Sequence, residues 1–198
     1  MNVSVSRETM DRLAAYEALI QRWNPRINLV APASLLQLRD RHIEDCLQIS
    51  QLVAPEAGLW ADFGSGGGLP GLVLAIANAD SRTRFLLVES DQRKATFLRT
   101  VIRELGLQNA TVKTARIEEI DPLNAAYISA RALAPLPRLM PYLERHMSAD
   151  GQAWLMKGQR WQSELTEAQE NWRFNAKVHP SSTQDGAAIL EISGVSHV

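Results

Sequence analysis

The chain has one cysteine in 198 residues, so no internal disulfide is possible. Its four histidines share no metal-ligand spacing with that thiol, and no metal is expected. No long hydrophobic run is present. The longest, Leu69 to Ala77, falls far short of the roughly 20 residues needed to span a bilayer. The opening MNVSVSRETM lacks the apolar region of a secretory signal. Neither sign of charge dominates: 21 Lys and Arg stand against 22 Asp and Glu, a net charge of −1, which argues against a basic glove for nucleic acid. There is no internal repeat or low-complexity tract. These absences point to a soluble cytoplasmic protein, one compact α/β domain with at most a small appendage.

What is abundant is glycine, in one place. Trp60 to Ala77 reads WADFGSGGGLPGLVLAIA: an apolar strand, an acid, four glycines in five positions, then an apolar helix opened by a proline. Such a turn lets a ligand lie against bare main chain, and the following helix aims free N–H groups and its positive dipole end at it. Three nucleotide patterns compete. A P-loop fails, because Leu72 and Val73 stand where Lys and Ser/Thr are required after Gly66 and Gly71. A dinucleotide fingerprint can be laid on Gly66, Gly68 and Gly71. The third pattern, acid-x-Gly-x-Gly-x-Gly on Asp62, Gly64, Gly66 and Gly68, resembles the S-adenosylmethionine loop of class I methyltransferases. About two dozen positions later a second strand ends in Glu89, where an acid accepts hydrogen bonds from ribose hydroxyls. Both surviving readings want that acid.

The order of elements separates them. Met10, Leu13, Tyr16, Ile20 and Trp23 form one face of a helix that Pro25 should end. Ser34 could cap a second helix, Leu35 to His42, and a third continues to about Val53. This helical lead, 1–57, precedes the core, 58–198, within one compact unit. Strands are expected at Leu59–Phe63, Arg84–Val88, Thr111–Thr114, Ala126–Ser129 and Ala153–Met156. Helices are expected at Pro70–Asn78, from Asp91 to a stop at Gly106, at Leu136–His146 with Gly151 punctuating its end, and at Ser163–Asn171. Two closing strands, Phe174–His179 and Ala188–Ser193, form a hairpin. A NAD domain repeats βαβ and usually adds a substrate domain, for which no residues remain. The expected fold is therefore a class I methyltransferase Rossmann-like doubly wound sheet, with a terminal antiparallel hairpin and an N-terminal helical lead. An NAD(P)-dependent oxidoreductase, or a non-catalytic nucleotide-binding module, is the alternative.

WNPRINLVA from Trp23, RHIEDCLQ from Arg41, DFGSGGGLPG from Asp62, ISARALAPL from Ile128 and MKG from Met156 occur in that order. Together they resemble the glucose-inhibited division protein B family, the ribosomal RNA small subunit methyltransferases G. The resemblance covers nearly the whole chain. It implies methyl transfer from S-adenosyl-L-methionine to N7 of one guanine in 16S rRNA. Many members read Asp-Ser-Leu-x-Lys-Arg after the second strand; this chain departs with Glu89-Ser90-Asp91-Gln92-Arg93-Lys94. The resemblance places cofactor contacts at Gly64 and Leu69, at Ile117 and Glu118, and at Arg131. Arg131 ends the fourth strand, in the crevice where doubly wound sheets bind ligands, and could hold the cofactor carboxylate or a substrate phosphate.

The missing chemistry narrows the target atom. Attack through a pyrimidine carbon needs a cysteine nucleophile, and Cys46 lies in the helical lead, where an inert buried thiol is the expectation. An exocyclic amine usually calls for Asn/Asp-Pro-Pro-aromatic after strand four, where this chain has Ser129-Ala130-Arg131-Ala132. Guanine N7 carries a lone pair that needs only orientation. The substrate cleft is expected to be bordered by Asn24, Arg26, Arg41, His42 and Lys157, although Asn24 could equally just stop the first helix. Near-neutral charge predicts weak binding to naked RNA, so the expected partner is 16S rRNA within the small ribosomal subunit or an assembly intermediate, met by a monomer with no membrane or metal partner.

Overall fold

The computed structural model describes residues 6–198. A long helix α1, Arg7–Ile27, is capped by Ser6, whose hydroxyl accepts the N–H of Thr9. A 3₁₀ turn, Pro32–Gln37, and one wide helical turn, Arg39–Ile43, lead into α2, Glu44–Leu52. Then follow β1 Gly58–Phe63, α3 Gly71–Ala77, β2 Thr83–Glu89, α4 Gln92–Glu104, β3 Ala110–Thr114 and β4 Ala125–Arg131. The chain continues through α5 Leu136–His146, β5 Met147–Lys157, α6 Trp161–Gln169, β6 Trp172–Pro180 and β7 Ala188–His197.

The seven strands form one sheet in the order β3-β2-β1-β4-β5-β7-β6. The first five are parallel; β7 runs antiparallel between β5 and β6. Strand order reverses between β1 and β4, which opens a crevice above their carboxyl ends. Apolar side chains fill both faces. One layer joins Leu13, Tyr16 and Ile20 of α1 to Leu72 and Ile76 of α3 and Phe97 and Val101 of α4. The other joins Leu139 and Leu143 of α5 to Ile128, Leu155 and Leu190 of the sheet. The helical lead thus shares a core with the sheet. No helix among the described residues is long and apolar enough to cross a membrane.

Three local expectations are corrected. α1 runs through Pro25 to Ile27, because a proline in the last turn deletes one backbone bond while Ile27 still packs on the core. Asn28 then ends the helix at φ 46°, its N–H on the carbonyl of Asn24. The regular helix expected over Leu35–His42 is replaced by the 3₁₀ and wide turns. Ser34 does not cap it; its hydroxyl donates to the carbonyl of Ala31 and meets Nε2 of His42. Gly151 lies inside β5 rather than beyond a helix end, at an irregularity in the pairing with β4, where a Cβ would come within 2.9 Å of the Ala125 carbonyl.

Candidate active site

The glycine loop leaves β1 at the point where the strand order reverses. Gly64, Gly66 and Gly68 adopt φ of 62°, 56° and 92°, in the left-handed region. Asp62, one residue from the strand end, is 1 % exposed. Its Oδ1 accepts the hydroxyl of Ser129 at 2.6 Å, and Ser129 in turn accepts the indole N–H of Trp60 at 2.9 Å. Oδ2 has no hydrogen-bond partner among the described residues. Burial pushes the Asp62 carboxyl up to about 6, against the opposing bond from Ser129. The lead reaches this loop directly: the hydroxyl of Tyr16 donates to the Gly67 carbonyl at 2.6 Å.

Glu89 joins the loop to the next element. One carboxylate oxygen accepts the N–H of Gly66 and the other the N–H of Asp91, each at 2.8 Å. Two such bonds leave further lone pairs for a ligand hydroxyl. Beside it opens a hollow of about 510 Å³, lined by residues 90–92, Thr114–Arg116 and Glu119. Asp91 caps α4 there, accepting the N–H groups of Arg93 and Lys94. Ile117 is buried and does not line the hollow; its carbonyl meets Nε2 of His146 at 3.1 Å. Glu118 points outward and lies 3.9 Å from Arg116. Leu69 is buried in the apolar layer, its N–H on the Ser65 carbonyl.

A larger cleft, about 550 Å³, lies on the other side of the loop, between the lead, the β4–α5 and β5–α6 connections and the β6–β7 turn. Arg131, Arg41, His42 and Lys157 line it. Arg131 Nη1 approaches Asp45 Oδ2 at 3.4 Å, and its Nη2 makes a close contact with Nδ1 of His42. Burial holds His42 down to about 4, with the Arg131 guanidinium acting in the same direction, so the ring is neutral near pH 7 and can accept from Arg131. Lys157 is less free than expected. Its ammonium donates to the Ala134 carbonyl at 2.7 Å and pairs with Glu164 at 2.9 Å, and Glu164 also accepts the N–H of Leu136. Burial pulls the Lys157 pKa down, opposed by Glu164.

Two residues expected at the substrate cleft lie elsewhere. Asn24 is 4 % exposed and spends its side-chain amide on the N–H and carbonyl of Val30, so it shapes the turn after α1. Arg26 is exposed in the last turn of α1 and does not line the cleft. Four residues absent from the sequence-based set belong to the site's framework: Tyr16, Asp45, Ser129 and Glu164. Asp45 had a readable signal, since it follows His42 by three positions in a helical stretch. Ser129 had none without the sheet order, which sets it in register with Asp62.

Whether these residues suit an adenosyl ligand is tested at Gly66. A Cβ there would meet nothing nearer than the Gly64 carbonyl, at 3.7 Å, so the loop faces open space at Gly66, whereas Gly64 and Gly68 lie against Leu133 and Leu72. With Glu89 beside that space and the hollow beyond it, the donor set fits a ribose-bearing group.

The sheet order and the glycine loop at its reversal define a class I S-adenosylmethionine-dependent methyltransferase fold. Solved structures similar to this chain agree. A MtNAS mutant in complex with S-adenosylmethionine superposes with TM-score 0.63 at 18 % identity, covering 94 % of this chain and 76 % of that one. A SAM-dependent methyltransferase from Aquifex aeolicus superposes with TM-score 0.61 at 12 % identity, covering 90 % and 97 %. A family model described as rRNA small subunit methyltransferase G matches residues 9–190. The ribosomal RNA small subunit methyltransferase G of Paracoccus denitrificans is 54 % identical over 98 % of this chain and 100 % of its own length. The chain belongs to the rRNA small subunit methyltransferase G family. It is an S-adenosylmethionine-dependent rRNA methyltransferase, and the oxidoreductase and non-catalytic readings are not favoured.

Proposed function

We propose that the enzyme methylates N7 of one guanine in 16S rRNA. The observation that carries this reading is the state of the groups lining the cleft. Both of its carboxylates, Asp45 and Glu164, are ion-paired, and the lone thiol, Cys46, is fully buried with its pKa pushed up to about 12 by desolvation. Neither a free general base nor a thiolate nucleophile is offered to the substrate. A ring nitrogen with its own in-plane lone pair needs neither.

Bound S-adenosylmethionine supplies an electrophilic methyl group on a sulfonium. The residues that would hold it are Asp62 toward the methionine end, the main chain of Gly64, Gly66, Gly68 and Leu69, and Glu89 toward the ribose, with the adenine assigned to the hollow whose Arg116 and Glu119 flank Ile117 and Glu118 in the chain. Arg41 and Lys157 face the RNA side together with Arg131, which we also assign as a catalytic residue in contact with the cofactor, since a guanidinium fork suits a carboxylate as well as a phosphate or the guanine edge. Neutral His42 orients Arg131, and Arg26 adds an outlying cation for the backbone. The rate enhancement rests on holding the guanine in line and on excluding water.

The lead, 1–57, and the core, 58–198, act as one unit, because the Tyr16 hydroxyl supports the loop of the core. A net charge of −1 favours a folded ribonucleoprotein over naked RNA, so the substrate is the small ribosomal subunit or an assembly particle, met in the cytoplasm by a monomer. The test is primer extension after cleavage at N7-methylguanine, using RNA from cells with and without the protein. A single stop in 16S rRNA that disappears with the protein supports the reading. Identical patterns in both strains overturn it.

A further inference from the structure

Asp45 and Glu164 are the two carboxylates in a cleft that also presents Arg41, Arg131, Lys157 and Arg160, and a free negative charge there would repel an incoming phosphate. Asp45 is not free. Oδ2 faces Arg131 Nη1 at 3.4 Å. Oδ1 accepts the hydroxyl of Thr183 at 2.6 Å and the side-chain amide of Gln48 at 2.9 Å, with Ser181 at 3.4 Å. Gln48, one helical turn on, completes the arrangement: its carbonyl oxygen accepts both the N–H of Ser182 at 2.7 Å and its hydroxyl at 2.9 Å. A single side chain of the lead therefore touches the end of β4 and the β6–β7 turn, two segments far apart in the chain. Both line the cleft.

We propose that Asp45 is a positioning residue for RNA, acting through Arg131 on one wall of the cleft and through the 181–183 turn on the other. Asp45 fixes one amino group of the guanidinium while Nδ1 of His42 fixes the other. The fork keeps further N–H donors for a ligand, already aimed before the substrate arrives. The carboxylate charge is matched by Arg131, so the wall it builds does not repel RNA. On the opposite side, Thr183 and Ser182 hold the turn closed against α2, which sets the width of the opening beside Gln184. This inference rests on the proposed RNA methylation.

The test is steady-state methyl transfer to small-subunit particles from cells lacking the protein, varying particle and S-adenosylmethionine separately. Asp45→Asn keeps an acceptor for Thr183 but loses the charge facing Arg131. It should raise the KM for the particle about tenfold, leave the KM for S-adenosylmethionine within about twofold and keep the melting temperature near wild type. Thr183→Val should raise the particle KM severalfold, and Thr183→Ser should restore it. Parallel loss in kcat and in both KM values, matched by a fall in melting temperature, would show a purely structural residue and overturn the proposal. If Asp45→Asn fails to fold, the Thr183 pair carries the test, and equal particle KM values for Val and Ser overturn it. A wild type with no transfer to particles sinks the functional reading and this inference together. An active wild type matched by Asp45→Asn sinks the inference alone.

Discussion

The hydroxyl of Tyr16 and the carbonyl oxygen of Gly67 are 2.6 Å apart and buried, so the first helix of the lead is fastened to the glycine loop after β1, to which we assign the cofactor. Burial drives the Tyr16 pKa well above that of a free phenol, which keeps the hydroxyl a donor at any working pH. Tyr16→Phe removes that donor and leaves a buried carbonyl unpaired, at a cost of about 1–3 kcal/mol. Calorimetry should find S-adenosylmethionine bound about two- to tenfold more weakly if about half of that cost falls on the loop. A lowered melting temperature with unchanged affinity would mean that the bond supports only the fold.

Two glycines with nearly the same backbone separate strain from cofactor contact. Gly66 lies at φ 56° in the loop and Gly106 at φ 63° after α4. Alanine at either site costs about 1–2 kcal/mol for the left-handed conformation. A Cβ on Gly106 meets nothing within 4 Å, whereas one on Gly66 projects into the space assigned to the cofactor. Both variants should lose similar stability in thermal melts. Only Gly66→Ala should lose S-adenosylmethionine binding in titrations, and equal binding by the two would move the cofactor away from the loop.

The contrast between these glycines also explains what the sequence can convey. Asp62, the glycines and Glu89 were legible because strand, turn and ribose acid follow one another within a single βαβ unit, whose spacing is set by local geometry. The closing hairpin was legible from two apolar runs and a polar turn between them. Ser129 was not, and Asp45 only through its spacing from His42, because their remaining partners come from distant parts of the chain. Ser129 meets Asp62 only once β4 lies beside β1, and Asp45 meets Thr183 only once the hairpin folds back to the lead. Of the two readings open for Asn24 the local one holds: its amide serves a turn six residues ahead, where the backbone of Val30 needs a donor and an acceptor. Polar residue type marks a position as demanding without saying whether chain or ligand makes the demand.

Cys46 tests the chemistry assigned to the cleft. Its thiol lies 3.6 Å from Arg131 Nη1, yet burial outweighs that guanidinium and pushes the pKa up to about 12. At pH 7.5 roughly one thiol in ten thousand or fewer would be ionised, too few for a nucleophile. Cys46→Ala should cost about 1 kcal/mol of stability through lost packing. Methyl transfer should stay within roughly twofold of wild type. A hundredfold loss in kcat with the fold intact would instead require a covalent intermediate, and would rule out transfer to guanine N7.

Asp62 and His42 bend the stability curve in opposite directions, which makes their separation a stringent test of the site's electrostatics. Asp62 is raised from 3.8 to about 6, so its favourable contribution to folding is complete below about 3.8 and is lost as pH rises through 6. At pH 7.5 holding the ionised carboxylate in place costs on the order of 3 kcal/mol, a cost that positioning for the cofactor would justify. His42 is lowered from 6.5 to about 4, so its contribution is complete above 6.5 and is lost as pH falls toward 4. Wild-type melts between pH 4.5 and 8 should therefore change little, the two slopes partly cancelling. Asp62→Asn should melt several degrees higher than wild type at pH 7.5, lose that advantage near pH 4.5 and bind S-adenosylmethionine poorly. His42→Gln should lessen the acid-side loss, so that it melts higher than wild type at pH 4.5 and close to it at pH 7, while buried His146, also lowered by burial, keeps a residual acid-side loss in all three proteins. Parallel curves for all three proteins would show that neither group is perturbed by burial, and would remove the electrostatic basis for reading Asp62 as a residue held ready for a cationic ligand.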